Sequence, residues 1–188
     1  MLQVDCVFGH HGVPVGEVHQ RFHNGHLYAI AGPNGSGKST LLQTISGELE
    51  PVSGGVFLSG KEPAVGFSIR IAEPVFLPDL TVGEHLILLA NRQGLDYEYT
   101  IETWKLKDLV NRFPTTLSSG QRQRVYLASQ FENKADFLLL DEPERHLDSS
   151  WVEFLAEKLA ERAHEGTLIV IATHSATLLA ACDAVVSL

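Results

Sequence analysis

The run Gly32-Pro33-Asn34-Gly35-Ser36-Gly37-Lys38-Ser39-Thr40 satisfies the pattern G-x-x-x-x-G-K-[ST]. Small residues let consecutive backbone N–H groups curl around phosphate oxygens with no Cβ in the way. A helix starting at such a turn adds the positive end of its dipole. Lys38 can reach the β- and γ-phosphates of a nucleotide as a point charge, and the Ser39 hydroxyl can ligate Mg²⁺. The pattern carries weight only between a strand and a helix, and both flanks are present. Leu27-Tyr28-Ala29-Ile30-Ala31 is a compact apolar run before it, and residues 39–46 read as a helix stopped by Gly47 after it. A chance turn of small residues would lack that setting, so the segment predicts nucleotide binding.

A second chemical cluster follows about a hundred residues later. Phe137-Leu138-Leu139-Leu140-Asp141-Glu142-Pro143 sets two carboxylates at the end of a continuous apolar run suited to a buried strand. In open α/β sheets that end is where ligands sit. Asp141 suits Mg²⁺ coordination, direct or through water, and Glu142 suits polarising an attacking water. Alone, the pair could be a solvated turn; with the phosphate loop upstream it reads as catalytic. His174 follows the apolar run 168–172 after a single Thr, again at a strand's C-terminal end, and suits a hydrogen bond to a γ-phosphate. Of the other histidines, His10, His11, His19, His23 and His26 crowd the N-terminal third without ligand spacing and read as surface residues.

The elements that must position these groups alternate between strand and helix. Residues 2–8 and 14–22 read as antiparallel strands, 51–55 as a turn and 56–59 as a strand ending at Gly60. Thr81 and Glu84 have capping-box spacing before a helix to about Arg92, closed near Gly94. Further helices are expected around 100–110 and 121–132, the latter with Val125, Ala128 and Phe131 on one face. Another carries Trp151, Leu155, Leu159 and Arg162 on one face, and the chain closes with a short helix and a strand over 184–188. Buried strands alternating with helices imply an α/β fold with a mainly parallel sheet.

The chain has 188 residues, room for one domain and its core but not for two. Its 14 basic and 23 acidic side chains give a net charge of −9, which disfavours broad nucleic-acid contact and adsorption to anionic lipid. Cys6 and Cys182 match no metal spacing and no disulfide framework, as fits a reducing compartment. The first residues lack the basic start and apolar core of a signal peptide. No apolar run approaches the ~18–20 residues of a membrane span.

Between the phosphate loop and the acidic strand lies Leu117-Ser118-Ser119-Gly120-Gln121, which resembles the LSGGQ signature of ATP-binding-cassette ATPases with one Gly replaced by Ser. The resemblance covers essentially the whole chain, in that family's motif order. It implies a P-loop NTPase core with a small N-terminal antiparallel β subdomain and a short helical subdomain, inserted at about 79–134 of a single domain spanning 1–188. It also implies that Ser118, Ser119, Gly120 and Gln121 act in trans on a γ-phosphate held by a partner subunit. Glu142 then matches the catalytic glutamate, His174 the switch histidine, Asp141 the second-motif aspartate, and Asp148 the acid that crosses the dimer interface. The family stacks an aromatic residue on adenine; Phe8 is the candidate, unless it is plain strand core. The position of the family's Mg²⁺-contacting glutamine falls on Ala72. Either Glu73 substitutes with a shifted register or water takes over that coordination.

By that resemblance the cofactors are ATP and Mg²⁺. The partners are an integral membrane permease subunit and a second cassette, in a homodimer or a heterodimer. Neither nucleic-acid binding nor direct membrane insertion is expected, and the place of work is the cytoplasmic face of the membrane. The interval 72–117 is short for a helical subdomain, and the chain stops one strand after His174, so no regulatory C-terminal domain is expected. A soluble cassette acting on ribosomes or nucleic acid is the alternative, suggested by the spelling His146-Leu147-Asp148. A binding module with little turnover is a third reading, which Glu142 and His174 disfavour.

Overall fold

The computed structural model describes residues 1–59, 68–93, 96–131 and 137–188. The expected turn at Gly60, the helix closure at Gly94 and the helix end at Glu132 lie outside them. The described residues form two compact units. One draws on Met1–Ala72, Ala135–Glu144 and Ser150–Leu188, the other on Glu73–Lys134 and Arg145–Ser149.

The first unit stacks two sheets around a helix. Strands β1 (Leu2–His10), β2 (Val13–Phe22) and β4 (Ser53–Leu58) form an antiparallel sheet in the order β2-β1-β4. Strands β3 (Leu27–Ala31), β5 (Ile69–Ile71), β6 (Phe137–Asp141), β7 (Leu168–Ala172) and β8 (Ala184–Ser187) form a parallel sheet in the order β5-β6-β7-β3-β8. The mainly parallel α/β architecture expected from the alternation is therefore present, with its antiparallel companion. Helix α1 (Lys38–Ser46) lies against strands of both sheets. Leu41, Leu42 and Ile45 join Leu2, Val4 and Phe8 from one side and Ile30, Leu139 and Val170 from the other in one buried core. β7 is buried at every position because a central parallel strand is covered on both faces. Each such side chain contributes roughly 1.5–3 kcal/mol relative to exposure. Helices α5 (Ser149–His164) and α6 (Ala176–Ala181) complete the alternation.

Three local readings need correction. β4 begins at Ser53, not after Gly55, because Gly54 and Gly55 pair with Cys6 and Asp5 of β1. β5 was not anticipated; three residues give too little periodicity, and its pairing with β6 supplies what local propensity lacks. The helix expected over 100–110 is α3, Tyr97–Thr103, which starts earlier because the Asp96 side chain accepts from Tyr99 N–H and caps it. Lys105, at φ 50, leaves the helical region just beyond its end.

The second unit is helical. It contains α2 (Val82–Gln93), α3, a 3₁₀ turn at Pro114–Thr116 and α4 (Ser119–Phe131). The capping box forms: Thr81 N–H donates to Glu84 Oε2 at 2.7 Å, and Glu84 N–H donates to Thr81 Oγ1 at 3.3 Å. Those bonds hold the Glu84 carboxyl below its ordinary pKa. Trp104, 1% exposed, packs edge-on against Phe131 with ring centres 5.7 Å apart. Buried His85 accepts from Leu77 N–H at 2.9 Å, so its Nδ1 carries the hydrogen that faces Thr81 O at 2.8 Å. This histidine is structural.

Candidate functional site

Three neighbouring strands of the parallel sheet end at chemistry. In the order β6-β7-β3, the C-terminal end of β3 enters the loop 32–37, that of β6 carries Asp141 and Glu142, and that of β7 leads to Thr173 and His174. Sequence-distant groups converge because parallel strands put all their C-terminal ends on one edge.

The loop's conformation depends on its smallest residue. Gly37 takes φ 96, and a Cβ there would lie 2.6 Å from Val15 Cγ1 and 2.8 Å from Phe8 Cε2. Gly37 is also the N-cap of α1 and supplies no side-chain cap, so the helix opens on bare amides. Lys38 is 6% exposed; its ammonium donates to Gly32 O at 3.0 Å and Pro33 O at 3.1 Å, folding the charge over the loop. Ser39 is exposed, while Thr40 is buried and its hydroxyl meets His10 Nε2 at 3.0 Å. His10, read as a plain surface residue, therefore ties the tip of the β1–β2 hairpin to α1.

Phe8 lies in the core. It is 0% exposed, its ring buried beneath Gly37 and against Gly16, so no face is open. Of the two readings of Phe8, the burial of its ring favours strand core, from which it underlies Gly37 of the loop.

Asp141 pairs with Ala172 in the sheet, and the next residue leaves it sharply. Glu142 has φ 48, a left-handed conformation that costs a non-glycine residue of order 1 kcal/mol and is found at functional turns. Its N–H donates to Ala172 O at 2.8 Å, which fixes the turn to β7. His174 Nε2 stands 3.8 Å from Glu142 Oε1, both side chains being part-exposed. Sequence reasoning missed two supporting residues. Glu144 Oε1 accepts from the Thr173 hydroxyl and from His174 N–H at 3.2 Å. The available signal was an acid just beyond Pro143 and a threonine just before the histidine.

The second unit gathers the remaining predicted residues. Ser118 Oγ accepts from Gln121 N–H at 3.2 Å, and Gln121 Oε1 accepts from Ser118 N–H at 3.0 Å, a reciprocal cap at the start of α4. Gly120 cannot carry a side chain, since a Cβ would sit 2.6 Å from His146 O. That contact places the turn against the segment leading to Asp148. Arg124, on α4, has its pKa lowered by burial while the Asp148 charge raises it. Ala72 directly follows β5 and has no side-chain amide to offer a metal, and Glu73 is engaged by Arg145 Nη1 at 2.9 Å.

The residues fit a nucleotide with Mg²⁺. The cradle at Gly37 admits no Cβ, the first amides of α1 have no side-chain cap, and a buried ammonium adjoins them. One hydroxyl, Ser39, and one carboxylate, Asp141, form the all-oxygen, partly completed donor set that Mg²⁺ takes when phosphates supply the rest. No group of three or more His, Cys, Asp or Glu able to hold a metal occurs among the described residues. Burial, then the Asp183 charge, push the Cys182 thiol pKa up to about 12, which disfavours the nucleophilic thiolate. Among the described residues no helix is long and apolar enough to cross a membrane.

A family model described as ABC transporter matches residues 15–145. A lipoprotein-releasing system ATP-binding protein, LolD, of Blochmanniella floridana is 34% identical over 179 residues, covering 83% of this chain and 75% of that protein. The sulfate/thiosulfate import ATP-binding protein CysA of Synechococcus elongatus is 36% identical over 167 residues, covering 78% of this chain and 47% of that protein. Among solved structures, one described as the ATP binding subunit of an ABC transporter superposes with a TM-score of 0.86 at 30% identity. It covers 100% of this chain and 85% of its own.

Proposed function

The chain belongs to the ABC transporter family, and from that premise we propose that it is an ATP-binding and ATP-hydrolysing subunit driving transport through a separate membrane protein. The observation that carries the reading is the convergence of the Lys38 loop, Asp141–Glu142 and His174 at one edge of the parallel sheet. The names of the relatives, which concern lipoprotein release and sulfate import, favour a transport role over the ribosome-directed alternative.

Amides of Gly35 to Ser39 and the Lys38 ammonium grip the nucleotide's terminal phosphates. Ser39 and Asp141 would hold Mg²⁺, which supplies neutralisation of phosphate charge when bound. Glu142 takes the proton of the attacking water as general base, and His174 donates a hydrogen bond to the γ-phosphate. Ser118, Ser119, Gly120 and Gln121 of a second cassette complete the site from across a dimer interface, beside Asp148, with the partner a second copy or a related chain. Residues 1–188 act as one cassette in which the segment near 79–134 is the inserted helical subdomain. The membrane path belongs to an integral permease subunit, on whose cytoplasmic face the chain works; the transport roles in the relatives' names support this reading. Ala72 leaves metal coordination to Ser39, Asp141 and water, because Glu73 is bonded to Arg145 instead.

The test is hydrolysis of Mg-ATP by the wild-type chain and by Glu142→Gln. The variant should be slower by ~10²–10⁴-fold while still binding nucleotide. A wild-type rate in Glu142→Gln would remove the general base from this account.

A further inference from the structure

We propose that Glu144 is a positioning residue for His174, holding the imidazole opposite Glu142; this rests on reading those two residues as the hydrolytic pair. The path of the chain sets it up. After the left-handed turn at Glu142, Pro143 fixes the backbone, and Glu144 turns back toward the end of β7. One oxygen of Glu144, Oε1, then receives both the Thr173 hydroxyl and His174 N–H. The Thr173 hydroxyl in turn accepts from Ser175 N–H at 3.0 Å, and Ser175 caps α6 through Leu178 N–H. The backbone on both sides of His174 is thereby tied to one carboxylate, and hydrogen bonds to an ionised acceptor are shorter and stronger than neutral ones. Chained bonds of this kind reinforce one another.

The other oxygen shows that general stability does not explain Glu144. Oε2 is buried with no hydrogen-bond partner among the described residues. A buried acceptor left unsatisfied is costly, and a threonine or leucine would avoid that cost. What the carboxylate does supply is a fixed seat for the loop that carries His174, a short hop along the sheet edge from Glu142. Glu144 acts through His174 and needs no contact with nucleotide.

The experiment compares kcat for Mg-ATP and equilibrium nucleotide affinity in Glu144→Ala, Glu144→Gln, Thr173→Val, His174→Ala and the Glu144→Ala/His174→Ala double variant. Glu144→Ala should lower kcat by about tenfold and leave nucleotide affinity within about twofold, the loss expected for charged hydrogen bonds that do not touch ligand. Glu144→Gln should recover most of the rate, since its amide oxygen can accept both bonds. The double variant should be no slower than His174→Ala alone, because the two residues act as one unit. Thr173→Val, which removes one bond and keeps side-chain shape, should lower kcat in the same direction and gives a readout if Glu144→Ala fails to fold. A wild-type kcat in Glu144→Ala or Thr173→Val overturns the proposal. So does a Glu144→Ala loss of equal size with and without His174. A wild-type chain that does not hydrolyse Mg-ATP, or a His174→Ala chain as fast as wild type, overturns the hydrolytic reading and takes the proposal with it. A slow His174→Ala beside a fast Glu144→Ala overturns the proposal alone.

Discussion

Two helices of this chain open on turns of small residues, and they open differently. α1 starts at Gly37 with no side chain satisfying its first amides. α4 starts with Ser118 and Gln121 capping each other's backbone N–H. An uncapped helix start leaves its amides and dipole for an external anion. A self-capped start keeps its own shape and has fewer donors to give. The first turn thus keeps open amides with the Lys38 ammonium beside it, as the proposed phosphate grip requires. The second is a preformed surface, which suits the proposed role of completing a site made elsewhere.

The comparison breaks hardest at Lys38. Replacing it with Ala removes the cation beside the uncapped amides, and Mg-ATP affinity should fall by roughly 10–100-fold in equilibrium binding. Affinity close to wild type would mean the bare helix start is not a phosphate site. Gly120→Ala probes the other region: a methyl against His146 O should destabilise the second unit by about 1–3 kcal/mol. Chemical denaturation measures that loss, and the affinity of the isolated chain for nucleotide should stay within about twofold, since Gly120 lies in the turn that does not grip. Ser118→Ala is milder. Loss of the cap should cost about 1 kcal/mol, and hydrolysis should suffer more than nucleotide binding does.

The smallest effect lies at the far end of α1, where Glu48 and Arg70 pair at 2.7 Å. The Arg70 guanidinium holds the Glu48 carboxyl below its ordinary value of 4.5. A depressed carboxyl stabilises the fold above its unfolded pKa, and that contribution fades as pH falls through the lower folded value. Glu48 is 46% exposed, so Glu48→Gln should lose only about 0.2–1 kcal/mol at neutral pH. In acid-denaturation curves, wild type and variant should converge as pH falls through that depressed value. A constant gap at every pH would show that the charge pair is not the source.

Much of this was legible in the sequence, for a physical reason. The phosphate turn, the acidic strand end and the α4 start are contiguous segments whose residue types dictate their own backbone, so spacing alone announces them. Residues that act across the fold were harder. Glu144 meets Thr173 and His174 from about thirty positions away, through the pairing of β6 with β7. Phe8 read equally as an aromatic awaiting a base or as strand core, and only the packing of Gly16 and Gly37 against its ring favours the core. β5 is too short to show a period, and the two glycines of β4 read locally as a turn until β1 paired with them. Local chemistry was readable; partnership was not.

Sedimentation equilibrium of Glu142→Gln with and without Mg-ATP tests the division of labour most directly. This account predicts a monomer that becomes a dimer on adding Mg-ATP, with one nucleotide bound for each chain and the dimer abolished by Gly120→Ala. If the folded chain binds Mg-ATP and stays monomeric at every concentration, also with a second, non-identical cassette present, the signature turn completes no site and the account is contradicted.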